Sequence, residues 1–342
     1  MRVRVDKLRI KSIKTPLAAD WSSSERTCSV CGYTEGEALG HKDDDNNGLC
    51  DSCNHLMQAA KLTMASISLK GNIAINYYML LSDEVLADET AYMEFAMANG
   101  EIRQVPVGEG VAIVRDNVTY YVYSCSVDAK EMSDSVVSQF FYKDGSTSEY
   151  TYSVKTYADY ILANSTNADI KSLVAAMLNY GAASQLHFGY RTDALANANM
   201  TPADYSGVTI TGFNATAGQG TDLVKFYSAS LILKSETTLR FFFRVDSSAT
   251  FTATYNGKEL NVVERSGLYY VDITGISAKD LDEKVTVTIS DGVNTAEVFF
   301  NPMSYCQGIL KDTTGAFSAE MKDLVCALYQ YNQAANVYFK EN

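Results

Sequence analysis

No stretch of this 342-residue chain reaches the ~18 consecutive apolar residues of a membrane-spanning helix, so membrane insertion is not expected. The N-terminus has a charged start but neither an apolar core nor a cleavage site, which excludes a secretory signal in these residues. Positive charge is scarce, with 28 Lys and Arg against 41 Asp and Glu and a net charge of −13. Six of the basic side chains sit in the opening MRVRVDKLRIKSIK, leaving a still more acidic remainder. Such a body repels phosphate backbones and anionic lipid, so no nucleic-acid partner is expected, and the basic arm reads as a solvated tail.

Histidine occurs three times, tryptophan once and proline four times. With so little histidine, metal-hydrolase and triad chemistry have few bases to use, and no G-x-S-x-G, H-E-x-x-H or Walker loop is present. GQGTD at 218–222 is a turn, since no Lys-Ser/Thr pair follows it. Glu84, Asp88 and Glu89 are typical of the many carboxylates, which read as solvated surface. A glycosidase would need two of them facing each other across a cleft.

What the chain does have is 46% apolar content, 20% charged content and 23 Tyr, the profile of a folded protein of two or three domains. It also contains its own duplicate. YYVYSCSVDAKEMSDSVV (120–137) aligns without a gap on YYVDITGISAKDLDEKVT (269–286). LKGNIAINYY (69–78) matches LKSETTLRFF (233–242), YADYIL (157–162) matches YCQGIL (305–310), and LVAAMLNYGAASQLHF (173–188) matches LVCALYQYNQAANVYF (324–339). Matched blocks in one order predict one unit used twice.

The front of each unit has period two, as at Ile73, Ile75 and Tyr77 or Leu239, Phe241 and Phe243, which predicts strands. Asn256-Gly257 inside TATYNGKEL predicts a two-residue hairpin. The back switches to period 3.6: Leu173, Val174, Met177, Leu178 and Leu186 mark a helical stripe that can pack on the sheet. Asn167 is its predicted cap, Gly189 its stop, and a shorter helix near 155–163 precedes it. Gly181, Ala182 and Ala183 read as a close helix contact, not as a cofactor pocket. The fold class is therefore α+β, each unit an antiparallel sheet or sandwich followed by a helical hairpin. The predicted organisation is a basic arm (1–25), a Cys-rich module (26–57), unit one (58–190), a linker (191–207) and unit two (208–342).

Cys28-x2-Cys31 and Cys50-x2-Cys53 have the spacing of a four-thiolate zinc site, in which two tight turns complete a tetrahedron at ~2.3 Å. The same four cysteines can instead form two disulfides in an exported protein. So short a module needs one staple or the other. Between the pairs, DDDNNGLCD (43–51) follows the front of a calcium loop, with Asp43, Asp45, Asn47 and Asp51 as oxygen ligands and Gly48 at the sharp turn. Asn54 stands where a bidentate Glu belongs, so calcium there should bind weakly. His41 and His55 are spare ligands nearby. Cys125, Cys306 and Cys326 face Thr274, Ala158 and Ala175 in the duplicate, and read as buried fillers, not nucleophiles. His187 faces Tyr338, so no catalytic residue is assigned.

CSVCGYTEGEALGH, HKDDDNNGLCDSC and YTYSVKTYADYIL…LVAAMLNYGAASQLHFGY resemble uncharacterised repeat modules in large surface proteins of gut Clostridia. The resemblance implies an exported, multi-module cell-surface or secreted protein and offers no catalytic residues; the Tyr-, Ser- and Thr-rich composition also suits a bacterial surface protein, so the sequence is expected to be a fragment or to start late, with an export signal upstream. The expected role is non-catalytic, structural or adhesive, with a glycan or host glycoprotein such as immunoglobulin as partner. The alternatives are an accessory region of an exported carbohydrate-active enzyme and a carboxylate-dependent glycosidase.

Overall fold

A computed structural model describes residues 26–27, 34–35, 42–51, 56–200, 205, 208–211, 223–245 and 250–341. Among these residues the fold is α+β, with helices and antiparallel sheets. It forms two compact units. The basic arm (1–25) lies outside the described residues.

The first unit holds residues up to 66, 75–125 and 135–152. Its strands are β1 (Arg26–Thr27), β2 (Thr34–Glu35), β3 (Ala60–Ser68), β4 (Ala74–Leu81), β5 (Tyr92–Ala96), β6 (Ile102–Pro106), β7 (Val111–Arg115), β8 (Val118–Ser126), β9 (Val136–Tyr142), β10 (Gly145–Ser146) and β11 (Tyr150–Tyr152), with a one-turn helix α1 (Asp83–Leu86). One sheet has the order β3-β4-β8-β7 and a second β10-β9-β5-β6, with β11 also on β9. Alternation sends Tyr77 and Tyr123 from the first sheet onto Phe95 and Phe140 of the second, at ring separations of 5.1 and 5.6 Å. All four rings are buried, and each such side chain stabilises by roughly 1.5–3 kcal/mol.

The second unit holds 67–74, 126–134 and 153 onward. It contains α2 (Val154–Asn164), α3 (Ala168–Phe188), β12 (Val224–Ile232), β13 (Thr238–Val245), β14 (Thr252–Tyr255), β15 (Lys258–Glu259), β16 (Val263–Arg265), β17 (Leu268–Ile273), β18 (Val285–Ser290), β19 (Thr295–Phe300), α4 (Pro302–Leu310) and α5 (Ala319–Glu341). Its sheets run β12-β13-β17-β16 and β15-β14-β18-β19. Phe226 bridges them, stacked on Phe300 at 6.0 Å and set edge-on to Phe241. The Asn256-Gly257 hairpin forms as its sequence predicts, both residues at positive φ.

Helix α3 begins where Asn167 Oδ1 accepts from the N–H groups of Asp169 and Ile170, and ends at Gly189 with φ 62°. Its main neighbours differ from the expected sheet. It lies against α5, α2 and the short 3₁₀ turn Ala129–Glu131, with Tyr180 stacked on Tyr331 at 6.0 Å. Gly181 permits the approach to that turn, since a Cβ there would meet Met132 Sδ at 2.8 Å. The polar segment after α3 is also fastened down. Ala196 is fully buried and its N–H donates to Gln185 Oε1 at 2.7 Å, while Tyr190 and Arg191 both hydrogen-bond Asp134.

Candidate metal centre

The acidic stretch folds into a closed loop because its carboxylates satisfy its own backbone. Asp43 accepts from the N–H of Asn47 and of Gly48, each at 2.8 Å. Asp45 Oδ1 accepts from Asn47 N–H at 3.1 Å, Asn47 Oδ1 from Leu49 N–H at 2.8 Å, and Asp51 Oδ2 from Asp44 N–H at 2.9 Å. Gly48 takes φ 94°, a conformation that costs a side-chain-bearing residue free energy. Leu49 anchors the loop. It is buried against Leu80 and Val118, with Leu56 and Tyr120 packed beside it, and it forms an isolated bridge with Leu56.

One carboxylate oxygen from each of Asp43, Asp45 and Asp51 lies within 4.8 Å of the others. Asn47, the fourth predicted ligand, borders this group and donates Nδ2 to Asp45 Oδ2 at 3.0 Å. Three carboxylates so close repel one another, and hard oxygen donors at this separation fit calcium, which takes 6–8 oxygens at ~2.3–2.6 Å. Lys61 supplies partial neutralisation that the motif did not reveal. Its ammonium donates to Asn46 O at 2.7 Å and stands 3.9 Å from Asp43 Oδ2. Asn54, His41 and His55 lie outside the described residues.

No family model and no curated protein matches the chain. Chemistry therefore has to be judged from the side chains themselves. Of the four thiolates expected for zinc, Cys50 is buried beside Leu49, whereas Cys28, Cys31 and Cys53 lie outside the described residues. Cys125, Cys306 and Cys326 are buried, as expected for fillers. Burial pushes the Cys306 thiol up to about 12, so it stays protonated and non-nucleophilic at neutral pH.

His187 packs edge-on against Phe188 at 4.7 Å, and its counterpart Tyr338 packs the same way on Phe339 at 5.1 Å. Asp88 fastens a turn, accepting from the Thr90 hydroxyl and from the N–H groups of Thr90 and Lys143. The Thr90 hydroxyl, then the Lys143 N–H, hold its carboxyl below the ordinary aspartate value. A general acid for glycoside cleavage needs the opposite shift.

The second unit contains one feature that motif reading missed. A cavity of about 50 Å³ is lined by Asn72, Asp128, Tyr180, Glu236, Thr237 and Tyr331, with Asn72 Nδ2 donating to Glu236 at 2.6 Å. The pairing of Tyr180 with Tyr331 in the aligned blocks was the available signal.

Proposed function

We propose that the protein is a non-catalytic module of a secreted or cell-surface protein, used twice in tandem, with a structural or adhesive role toward a glycan or host glycoprotein. The observation that carries the reading is the repetition of strand order. β3-β4-β8-β7 has the same succession as β12-β13-β17-β16, and β6-β5-β9-β10 as β15-β14-β18-β19. The small contacts repeat as well. Val127 N–H donates to Ile73 O as Ile276 N–H does to Thr237 O, and the turns at Ala129–Glu131 and Ala278–Asp280 match. What recurs is packing, and the positions that differ between copies include His187, Cys125, Cys306 and Cys326. Tandem units of this kind suit spacing and display.

On a glycan array, the purified chain should bind a defined subset of glycans and leave a panel of chromogenic glycosides uncleaved. Turnover of any glycoside, or an array with no signal above a denatured control, would refute the assignment.

The same reading gives the acidic loop a structural task. Calcium would be held by Asp43, Asp45 and Asp51 and would relieve their mutual repulsion, stapling the loop to the sheet outside the cell. Millimolar calcium should raise the thermal midpoint relative to chelator, because a ligand that binds only the folded state stabilises it. Asp45→Asn keeps an acceptor for Asn47 N–H yet removes a charge, and should weaken the response about tenfold in calcium concentration. An identical midpoint in calcium and chelator sinks the staple. For the cysteine module, elemental analysis with thiol counting separates zinc at Cys28, Cys31, Cys50 and Cys53 from two disulfides.

A further inference from the structure

Two copies of one unit allow each position to be read against its duplicate. Extending the match of 69–78 on 233–242 in both directions sets Lys61 against Lys225 and Leu80 against Arg244. In the first unit this place is filled from within the chain. Leu49 packs on Leu80, while the Lys61 ammonium donates to Asn46 O and stands 3.9 Å from Asp43 Oδ2, so the acidic loop covers leucine and lysine together. The second unit keeps the lysine and replaces the leucine with a second cation. It has no Asp or Glu from 205 to 221, where the counterpart of the loop falls.

Strand register shows what that face presents. Alternation buries Leu239, Phe241 and Phe243, so Arg240, Phe242 and Arg244 of β13 face outward, and Lys225, directly opposite Arg244, faces out with it. Like charges set opposite each other destabilise a sheet, yet this pair is present. Phe243 pairs with Tyr269 and Arg265 with Leu268, which continues the row to the edge strand β16. Lys225 and Arg265 are thus three strands apart, about 14 Å at the ordinary strand spacing. Beside the cations lie the rings of Phe242 and Tyr270, 5.8 Å apart, and Tyr227, 58% exposed, with the Arg244 guanidinium over its ring at 5.2 Å. Arg240 completes the face, donating twice to Asp272 at 2.7 Å and stacking on Tyr270 at 4.2 Å. Of the charged residues on these four strands only Glu264 alternates to the other side, where it accepts from the Gly267 N–H at 2.6 Å.

We propose that the outer face of β12-β13-β17-β16 binds an acidic polysaccharide with recurring carboxylates, a chain of uronic acids. The inference rests on the glycan-binding reading above and names its site. A ligand carboxylate does for Lys225 and Arg244 what the acidic loop does for Lys61. A single terminal carboxylate reaches one end of a row about 14 Å long, whereas an extended chain of acidic sugars meets both ends. The half-buried rings of Phe242 and Tyr270 offer flat apolar area to the C–H faces of pyranose rings. Ser228, Ser230 and Asp272 lie on the same face, and a carboxylate has acceptor sites beyond those Arg240 uses. These acceptors suit sugar hydroxyls, which a DNA backbone lacks.

The test is isothermal titration of the full chain with oligogalacturonate, in chelator so that calcium cannot bridge the probe to the acidic loop. The wild type should bind it and ignore neutral malto-oligosaccharide. Arg244→Gln and Tyr227→Ala should each weaken binding about tenfold. Arg244→Gln should also keep or raise the thermal midpoint, because it ends the repulsion with Lys225, so a folding defect cannot imitate the loss. A wild type that ignores oligogalacturonate but binds neutral or sialylated glycans on the array overturns this site and leaves the glycan reading standing. Oligogalacturonate binding indifferent to both variants does the same. Preference for single-stranded DNA over oligogalacturonate also overturns the site, and an array without any glycan signal removes site and reading together.

Discussion

Between pH 9 and pH 11 the protein should lose its fold in a cooperative step. Tyr77, Tyr123, Tyr180 and Tyr331 are buried, and burial lifts all four phenols well above their ordinary value of 10.0. Secondary influences act in the same direction on Tyr77, through Cys125, and on Tyr331, through Tyr180. A phenol whose folded value is raised contributes its stabilisation in full below the unfolded value. That stabilisation is lost as pH climbs from there toward the folded value. One pH unit above 10, each such phenol favours the unfolded chain by about 1.4 kcal/mol, so the two in each unit, Tyr77 and Tyr123 in the first and Tyr180 and Tyr331 in the second, supply roughly 3 kcal/mol. The Cys306 thiol, lifted from 9.0 to about 12, works in the same sense and begins earlier. With that thiol the second unit reaches the lower part of the ~5–15 kcal/mol that holds a domain together, and the first loses a large share of it. Tyrosinate absorbance and circular dichroism followed together would show it. Exposed members of the 23 tyrosines should titrate smoothly, and the buried ones only as the dichroism collapses. A single smooth titration of every tyrosine with the dichroism unchanged would contradict the burial of these rings.

Those rings also mark the limit of what hydrophobic pattern can say. Period two located Tyr77, Phe241 and Phe243 in strands, and the Asn-Gly pair and the Asn167 cap located a turn and a helix start, because each is a local rule. The stripe on α3 was legible for the same reason from Leu173 to Leu178, whereas Leu186, expected on it, is 39% exposed beside the helix end, and the stripe shows only one face. Gly181, Ala182 and Ala183 are buried, as their small size announced, while Tyr180 and Ser184 are buried as well and lie outside the apolar stripe. The segment after α3 is polar and reads as a linker, yet Gln185 and Asp134 fasten it by hydrogen bonds. Polarity does not distinguish a side chain bonded to water from one bonded to protein. At the acidic loop the spacing gave Asp43, Asp45 and Asp51 in advance, whereas Lys61 enters only because β3 begins beside the loop. The cation row on the outer face of β12-β13-β17-β16 was invisible until the register was known.

Gly181→Val should cost about 2–3 kcal/mol of folding stability, the upper part of the range for overpacking a close contact. The first methyl-sized group would lie 2.8 Å from Met132 Sδ, 3.1 Å from Ala129 O and 3.1 Å from the Ala196 Cβ. Met132 is fully buried, so its thioether has nowhere to retreat. Ala129 O belongs to a turn whose neighbour Asp134 is held by Tyr190 and Arg191, so the backbone cannot give without breaking that pair. The matched position in the second half answers the same geometry differently. Asn332 fits there, donating to Ala278 O at 2.8 Å and to Asp282 Oδ1 at 3.1 Å. Exchange in either direction is therefore harmful. Gly181→Asn brings a side chain where there is no room. Asn332→Gly strands the buried carbonyl of Ala278, loses three hydrogen bonds of about 1 kcal/mol each, the one accepted from Gln333 Nε2 included, and puts a glycine into a helix interior at about 1 kcal/mol more. Urea denaturation at unchanged m-value reads both. If Gly181→Val unfolds within 0.5 kcal/mol of the wild type, α3 does not lie against the Ala129 turn at the distance described.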